Sequence, residues 1–256
     1  MILNSKILGE SSKSIIVLHG LFGSLDNWFS IGNELSKNFQ VHLLDLTNHG
    51  KSYHSNEHSY ELMSEDLKNY INYYNLNKPS IIGHSMGGKV AMFFSFKYNY
   101  LIDNLVIVDI APKKYKNEHA EIISALTEVS SIQLNSRKEA EQILNNFSIP
   151  KNTIQFLLKN LYWTENENLI FRFNLNVIKN SINELLDFPL DFKTINNKTF
   201  FIRGGDSNYI HDNDLIIIKE KFPNSILIDI FEAGHWVHFD QRKKFIDTIK
   251  KILLQK

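Results

Sequence analysis

The 256-residue sequence contains no cysteine, only 5 prolines and 11 glycines, and no excess of charge of either sign. Without cysteine, the chain has no disulfide framework, no thiolate metal site and no cysteine nucleophile. Lys plus Arg and Asp plus Glu each number 28, so the formal net charge is zero, which disfavours binding to nucleic acid or to an anionic membrane surface. Any nucleophile must therefore carry oxygen or nitrogen.

Long hydrophobic runs are also missing. The longest apolar stretches, such as IIVL (15–18) and LVIV (105–108), are too short to cross a bilayer. The first residues, MILNSKILGESSK, lack the charged start, apolar centre and cleavage site of a secretory signal. We therefore expect a cytoplasmic protein without stable membrane insertion, and the sequence gives no indication of its oligomeric state.

Short apolar runs alternate with helical patterns through the first 111 residues, which is typical of a mostly parallel sheet with helices on both faces. The helical patterns include SYELMSEDLKNYINYY (59–74), for which Ser59 is a suitable N-cap. The predicted strands are SIIVLHG (14–20), FQVHLLDL (39–46), PSIIG (79–83) and NLVIVDIA (104–111).

The alternation stops after residue 111 and returns with KTFFIRG (198–204) and SILIDIF (225–231). Residues 112–196 contain several helical patterns, and no strand is predicted among them. We therefore predict an α/β core formed by residues 1–111 and 197–256, with residues 112–196 inserted as a helical cap. Such an insertion is expected over the carboxyl ends of the strands, where open α/β sheets bind ligands.

The segment GHSMG (83–87) matches the pattern G-x-S-x-G between a predicted strand and a predicted helix. In this setting the serine lies on a strained turn, and the glycines allow the backbone to approach closely. A small-residue turn without chemical function is the alternative interpretation. The strand before the motif and the helix after it favour Ser85 as a nucleophile.

The loop HGLFGS (19–24) closes an earlier strand and could direct backbone N–H groups at a carbonyl oxygen. We predict Leu21, with Phe22 as the alternative, as one donor of an oxyanion hole and Met86 as the other. His19 is expected to brace this loop.

A serine hydroxyl needs a base within hydrogen-bond reach. Of the ten histidines, His235 follows the last predicted strand and precedes the last helix, which places it at the same sheet edge as Ser85. Asp109 and Asp206 also follow strands at that edge, and either could orient the histidine. Asp45 is expected to have a structural role. The usual position of the acid after the penultimate strand falls on Ser207, which cannot supply a negative charge.

Several segments together resemble the α/β-hydrolase superfamily, and more narrowly the bacterial YbfF esterases and their eukaryotic relatives. They are HGLFGSLDNW, DLTNHGKS, GHSMGGKVAM, VDIAPKKY, IQFLLKNL, RGGDSNYI and AGHWVH, and they extend over most of the chain. The resemblance implies a serine esterase or thioesterase with a helical cap. It also implies that Asp109 is the acid and that Ser207 supports the hydrogen-bond network, with Asp206 as the alternative acid. Thr47 departs from the family pattern, in which an arginine precedes NHG.

These observations predict hydrolysis of carboxylic esters or thioesters with short to medium acyl chains, without a metal or an organic cofactor. A carbon–carbon bond hydrolase or a perhydrolase could use the same triad, and a non-enzymatic ligand-binding module on this fold is a further alternative. The predicted partner is a small-molecule acyl ester or thioester.

Aromatic side chains of the insertion could line an acyl pocket, or they could form the core of the cap itself. Those considered are Phe147, Phe156, Tyr162, Trp163, Phe171 and Phe173, together with Leu157. The predicted substrate pocket comprises Phe22, His84, Phe156, Tyr162, Trp163 and Trp236.

Overall fold

A central sheet of seven strands organises the computed structural model, which describes residues 1–189, 191 and 193–254. The strand order is β1-β3-β2-β4-β5-β8-β9, and every neighbouring pair is parallel except β1 with β3. The strands are Ser5–Leu8 (β1), Ser14–Leu18 (β2), Gln40–Leu44 (β3), Ser80–His84 (β4), Asn104–Val108 (β5), Lys198–Gly204 (β8) and Ser225–Ile230 (β9). Strand β1, which the sequence did not predict, is a four-residue antiparallel edge strand with no fully buried residue.

Helices precede or follow most strands, as the alternating pattern predicts. The helices of the core are Phe29–Leu35 (α1), Tyr60–Tyr73 (α2), Met86–Tyr98 (α3), Asp214–Lys221 (α8), Val237–Asp240 (α9) and Arg242–Leu254 (α10). Two 3-10 turns, Leu25–Trp28 and Asn99–Leu101, complete the core elements. Helix α2 begins as predicted, because the Ser59 side chain accepts a hydrogen bond from Leu62 N.

The sheet is buried on both faces by two hydrophobic clusters. One cluster contains side chains of α2, α3 and α8, among them Tyr70, Phe94 and Ile218. The other contains side chains of α1 and α10, including Leu35 and Phe245. Strands with both faces buried consist of continuous apolar residues, which explains why these strands were recognisable from the sequence.

Residues 112–196, which we call the insertion, connect β5 to β8. They contain the helices Ala120–Ser130 (α4), Arg137–Leu144 (α5), Lys151–Leu158 (α6) and Leu175–Leu186 (α7). The expectation that the insertion lacks strands was wrong, because Leu161–Trp163 (β6) and Leu169–Phe171 (β7) form an antiparallel hairpin. Three residues per strand are too few for an alternating pattern to stand out from the sequence.

The insertion has a hydrophobic cluster of its own, formed by side chains of α4 to α7 and the hairpin. Phe22 of the core belongs to this cluster, while Leu185, Phe188 and Ile195 of the insertion belong to the core cluster beside α2 and α3. Leu190 and Phe192 of the predicted cap, and Gln255 and Lys256 of the predicted core, lie outside the described residues. No helix in the described part of the chain has the length and apolar character needed to span a bilayer.

Candidate active site

Ser85 occupies the turn between β4 and α3 with backbone angles φ 52° and ψ −118°. A non-glycine residue is rarely found in this region, so the turn holds Ser85 in a strained conformation. The flanking glycines are required by close packing. A Cβ at Gly83 would lie 2.3 Å from Gly87 O, and one at Gly87 would lie 2.6 Å from His19 O. The motif thus lets this turn pack closely against the sheet and against residues 19–24, which we call the HG loop, while Ser85 itself remains partly exposed.

Asp109 and His235 form a hydrogen bond of 2.8 Å between Oδ2 and Nδ1. Asp109 follows β5 directly, has a positive φ of 51° and is completely buried. Its Oδ1 accepts a hydrogen bond of 3.0 Å from Gly204 N, and its Oδ2 also accepts one from the Ser207 hydroxyl. These three hydrogen bonds stabilise the negative charge of the buried carboxylate beside the His235 ring.

Asp206, the alternative acid, lies at a different place. It is exposed, and its backbone N donates to Ala233 O. The carboxylate that contacts His235 belongs to Asp109, and Ser207 supports that carboxylate from beside the ring.

The His235 ring lies between other aromatic rings. Tyr209 stacks on it with ring centroids 3.6 Å apart and an interplanar angle of 14°. His84 lies 4.7 Å away between centroids, and its Nε2 is bonded to His235 O at 2.9 Å. Because the oxygen is a carbonyl, His84 Nε2 must be the donor in this bond. Burial, followed by the charges of neighbouring histidines, lowers the pKa of His84 well below its usual value, so His84 is neutral and holds the His235 backbone in place.

The Ser85 hydroxyl makes no hydrogen bond to another residue in the described part of the chain. Hydrogen bonds between a nucleophile and its base are often loose without substrate and tighten in the complex. Ser85 and His235 nonetheless belong to one neighbourhood, since Tyr209 stacks on His235 and lines the same cavity as Ser85.

The HG loop presents Leu21 N–H as the predicted oxyanion donor. Gly20 O accepts from Gly23 N at 3.0 Å and from His19 Nδ1 at 2.8 Å. The N–H of a trans peptide points away from the C=O of the same unit, so these two bonds direct Leu21 N–H to the opposite side. His19 is thereby a brace of the loop, as expected. Its Nε2 accepts from Leu46 N at 3.0 Å, which fixes the neutral tautomer.

Phe22, the alternative donor, does not have a free N–H. It has a positive φ of 58°, and its N–H donates to His49 Nε2 at 3.3 Å. The Phe22 N–H is therefore occupied by His49, which argues against Phe22 as the alternative oxyanion donor. Leu21 and Met86 both line the cavity in front of Ser85.

This cavity has a volume of about 660 Å³, including the part open to solvent. Its apolar wall contains Met86 and Ile110 of the core and Ile182, Leu185 and Leu186 of α7. The polar residues that line it are Lys89, Tyr115, Lys116, Glu118, His119, Asn208 and Tyr209.

None of the six residues predicted for the substrate pocket lines this cavity. Phe22 is buried against Phe173, and His84 packs behind His235. Phe156 and Trp236 contact each other with centroids 5.2 Å apart. Tyr162 lies under the Arg172 guanidinium and Trp163 is exposed. Phe171 stacks on Phe173 within the insertion. Most of these aromatic side chains stabilise the insertion or its junction with the core instead.

The sequence analysis missed the polar residues of the cavity. Burial lowers the pKa of His119 to about 4, and burial likewise raises the pKa of Tyr209 to about 12. Lys89, one helical turn after Ser85, is buried and donates to Leu185 O, Leu186 O and Asp187 O at 2.9 to 3.3 Å. The position of Lys89 in GHSMGGK was a usable signal, since a lysine one turn into a buried helix requires a partner.

In the described residues, no group of three or more His, Asp and Glu side chains is arranged to hold a metal ion.

Comparisons with known proteins agree with this fold. Residues 13–128 match the alpha/beta hydrolase fold family. The chain is 31% identical to Esterase YbfF of Escherichia coli over 245 residues, covering 95% of this chain and 94% of that protein. It is 37% identical to the sn-1-specific diacylglycerol lipase ABHD11 of Danio rerio over 247 residues, covering 93% and 77% respectively. A solved structure named marine microorganism esterase superposes with a TM-score of 0.93 at 39% identity and 98% coverage of both chains. The chain belongs to the α/β-hydrolase family.

Proposed function

We propose that this protein hydrolyses carboxylic esters or thioesters through an acyl-serine intermediate. Ser85 is the nucleophile, His235 the general base and Asp109 the acid that orients the histidine. The Asp109–His235 hydrogen bond at the sheet edge carrying Ser85 is the observation on which this proposal rests. Relatives named as an esterase and as a diacylglycerol lipase support an ester as the bond that is cleaved.

The hydrogen bonds at His235 define its role. Because Asp109 accepts from Nδ1, the neutral ring has its lone pair on Nε2. This nitrogen takes the proton from Ser85 as the hydroxyl attacks the substrate carbonyl, and it returns the proton to the leaving group. Asp109 stabilises the imidazolium but does not take up the proton. Water then repeats the attack on the acyl-enzyme and releases the acid.

Charge develops on the carbonyl oxygen during each attack. Leu21 N–H and Met86 N–H are the donors assigned to this oxygen, and a fixed donor pair stabilises the transition state without reorganisation. Removing one donor of this kind costs about 3 kcal/mol of transition-state stabilisation.

The cavity supports an apolar acyl group of limited length. Its wall of Ile182, Leu185 and Leu186 belongs to α7, so residues 112–196 act in this proposal as a cap that shapes the acyl subsite. Lys116 and Asn208 line the cavity and are exposed, which suits the polar leaving group and entering water. Short to medium acyl chains fit this division.

Hydrolysis of a graded series of p-nitrophenyl esters and acyl-thioesters tests the proposal. We expect turnover to peak at a short or medium chain and to be lost in Ser85→Ala. Turnover that survives in Ser85→Ala at the rate of the unmodified enzyme would refute the assignment of the nucleophile. Thermal unfolding of both proteins controls for folding, because a serine-to-alanine change at a partly exposed site removes few contacts.

A further inference from the structure

The residue after Leu21 is held by three independent contacts. Phe22 lies in the HG loop with a positive φ of 58°, a conformation that a bulky residue adopts only when its surroundings impose it. Its N–H, its C=O and its side chain each contact a different part of the molecule. Two of these three parts belong to the insertion.

His49 of the core holds the N–H side. Its Nδ1 is bonded to Thr47 O at 3.1 Å, so Nδ1 carries the proton and Nε2 is free to accept from Phe22 N. His49 is fully buried, and burial, followed by the charges of His19 and His58, lowers its pKa well below the usual value. The neutral tautomer that this contact needs is therefore the stable one.

Asn160 of the insertion holds the C=O side. Its Nδ2 donates to Phe22 O at 2.8 Å and to Phe156 O at 3.3 Å, so two carbonyl oxygens fix the orientation of the amide. Asn160 is 2% exposed and lies between α6 and β6. Its own C=O accepts from Arg172 N at 2.9 Å, which ties it to the residue after β7 at the open end of the hairpin.

The Phe22 side chain is embedded in the insertion. Its ring lies 5.1 Å from that of Phe173 and 6.5 Å from that of His119, measured between centroids. The ring is 3% exposed and belongs to the hydrophobic cluster of the insertion, although the backbone of Phe22 belongs to the core.

Resting on the proposed function, we propose that Asn160 is a positioning residue for the oxyanion hole and that the insertion thereby sets the activity of the core. Asn160 and His49 fix the two peptide units on either side of Phe22. The adjacent Gly20–Leu21 unit, whose N–H is the oxyanion donor, is covalently continuous with them. If the insertion moved away from the core, Asn160 would no longer bind Phe22 O. The backbone of Phe22 could then relax from its strained φ.

The test compares Asn160→Ala with Asn174→Ala as a matched control. Asn174 also joins the insertion to the core through its amide, donating to Asn48 Oδ1 and Ser55 O at 3.3 Å, but among the described residues it makes no hydrogen bond to the HG loop. We expect kcat for a p-nitrophenyl ester to fall about 10- to 100-fold in Asn160→Ala with KM changed less than about 3-fold, because a misplaced donor loses part of the effect of a missing one. Asn174→Ala should change kcat less than about 3-fold.

An alkylboronic acid provides a readout that a loss of folded protein does not alter. Its tetrahedral adduct with a serine places an oxygen where the oxyanion forms. Its Ki should rise in Asn160→Ala by the factor by which kcat/KM falls, and should stay unchanged in Asn174→Ala. An unchanged Ki in Asn160→Ala, or equal losses in the two variants, would overturn the proposal.

A second pair of variants probes the other side of Phe22 in case Asn160→Ala does not fold. His49→Gln keeps an amide oxygen near the position of Nε2, whereas His49→Asn places its amide nearer to that of Nδ1 and removes the acceptor. We expect His49→Asn to weaken boronate binding and His49→Gln to restore most of it. Equal boronate affinities in both variants contradict the proposal. If these variants contradict the positioning role, ester turnover by the wild type that is lost in Ser85→Ala would still support the proposed function.

Discussion

The core and the insertion are built from the same kinds of side chain but serve the site in different ways. In the core, Ser85, Asp109 and His235 follow strands β4, β5 and β9 within a few residues, so the sheet fixes their relative positions. The insertion supplies the apolar wall of the cavity from α7 and contacts the core through separate polar links at Lys89, Asn160 and Asn174. In the proposed function, this difference assigns the reacting side chains to the sheet and the selection of the acyl group to helix α7.

The largest expected effect of a substitution that tests this division is in the core. Asp109→Asn leaves the shape of the site but removes the charge that fixes the His235 tautomer. We expect kcat to fall about 10⁴-fold, as for loss of the acid in comparable triads. Steady-state kinetics on a p-nitrophenyl ester measures it.

Asp206→Asn is the control for this change. Since Asp206 is exposed and does not contact His235, we expect its kcat to remain within about 2-fold of the wild-type value. A larger loss of kcat in Asp206→Asn than in Asp109→Asn would show that the assignment of the acid to Asp109 is wrong.

A substitution in the insertion should change selectivity more than rate. Ile182→Phe puts a larger side chain in the cavity wall and narrows the cavity. We expect kcat/KM for the longest accepted acyl chain to fall about 10-fold relative to an acetyl ester. Excluding one methylene of the substrate from an apolar pocket costs about 1–3 kcal/mol of transition-state binding free energy. The measurement is the ratio of kcat/KM values across an ester series.

Ile170→Phe makes the same chemical change at an exposed position of the hairpin, 43% accessible and outside the cavity. Its chain-length profile should match the wild type. If both variants shift the profile alike, α7 is not the wall that selects the acyl chain.

The smallest expected effect concerns the link between the two regions at Lys89. Burial lowers the pKa of Lys89 to about 7 from 10.5. The unfolded chain therefore binds more protons than the folded protein between these values, and stability gains a contribution as pH rises from 7 towards 10. We expect Lys89→Met to lower Tm overall, because three carbonyl oxygens lose their donor, and to remove this contribution. Thermal unfolding from pH 7 to pH 9.5 measures it, and identical pH dependence in the two proteins would contradict a lowered pKa.

Sequence reasoning predicted what depends on local pattern and missed what depends on packing. Strands β2 to β5 were readable because both faces are buried, whereas β1 is a short edge strand with mixed residues. Ser85 was identified by its glycines and its place between a strand and a helix.

The choice between Asp109 and Asp206 could not be made from spacing alone, because both end strands at the same edge. The family resemblance favoured Asp109, and the structure places that carboxylate on His235. The residues that line the cavity were not predicted, because large aromatic side chains were expected to line it. Those of the insertion fill its own interior instead, as Phe171 and Phe173 do. Part of the apolar wall consists instead of Ile182, Leu185 and Leu186 of α7, which no motif distinguishes.

Covalent labelling with a fluorophosphonate tests the central claim most directly, because the reagent marks the hydroxyl that the site activates. Peptide mass spectrometry of the labelled protein should locate one adduct on Ser85, with labelling abolished in His235→Ala. An adduct on another residue, or undiminished labelling of Ser85 without the histidine, would contradict the account.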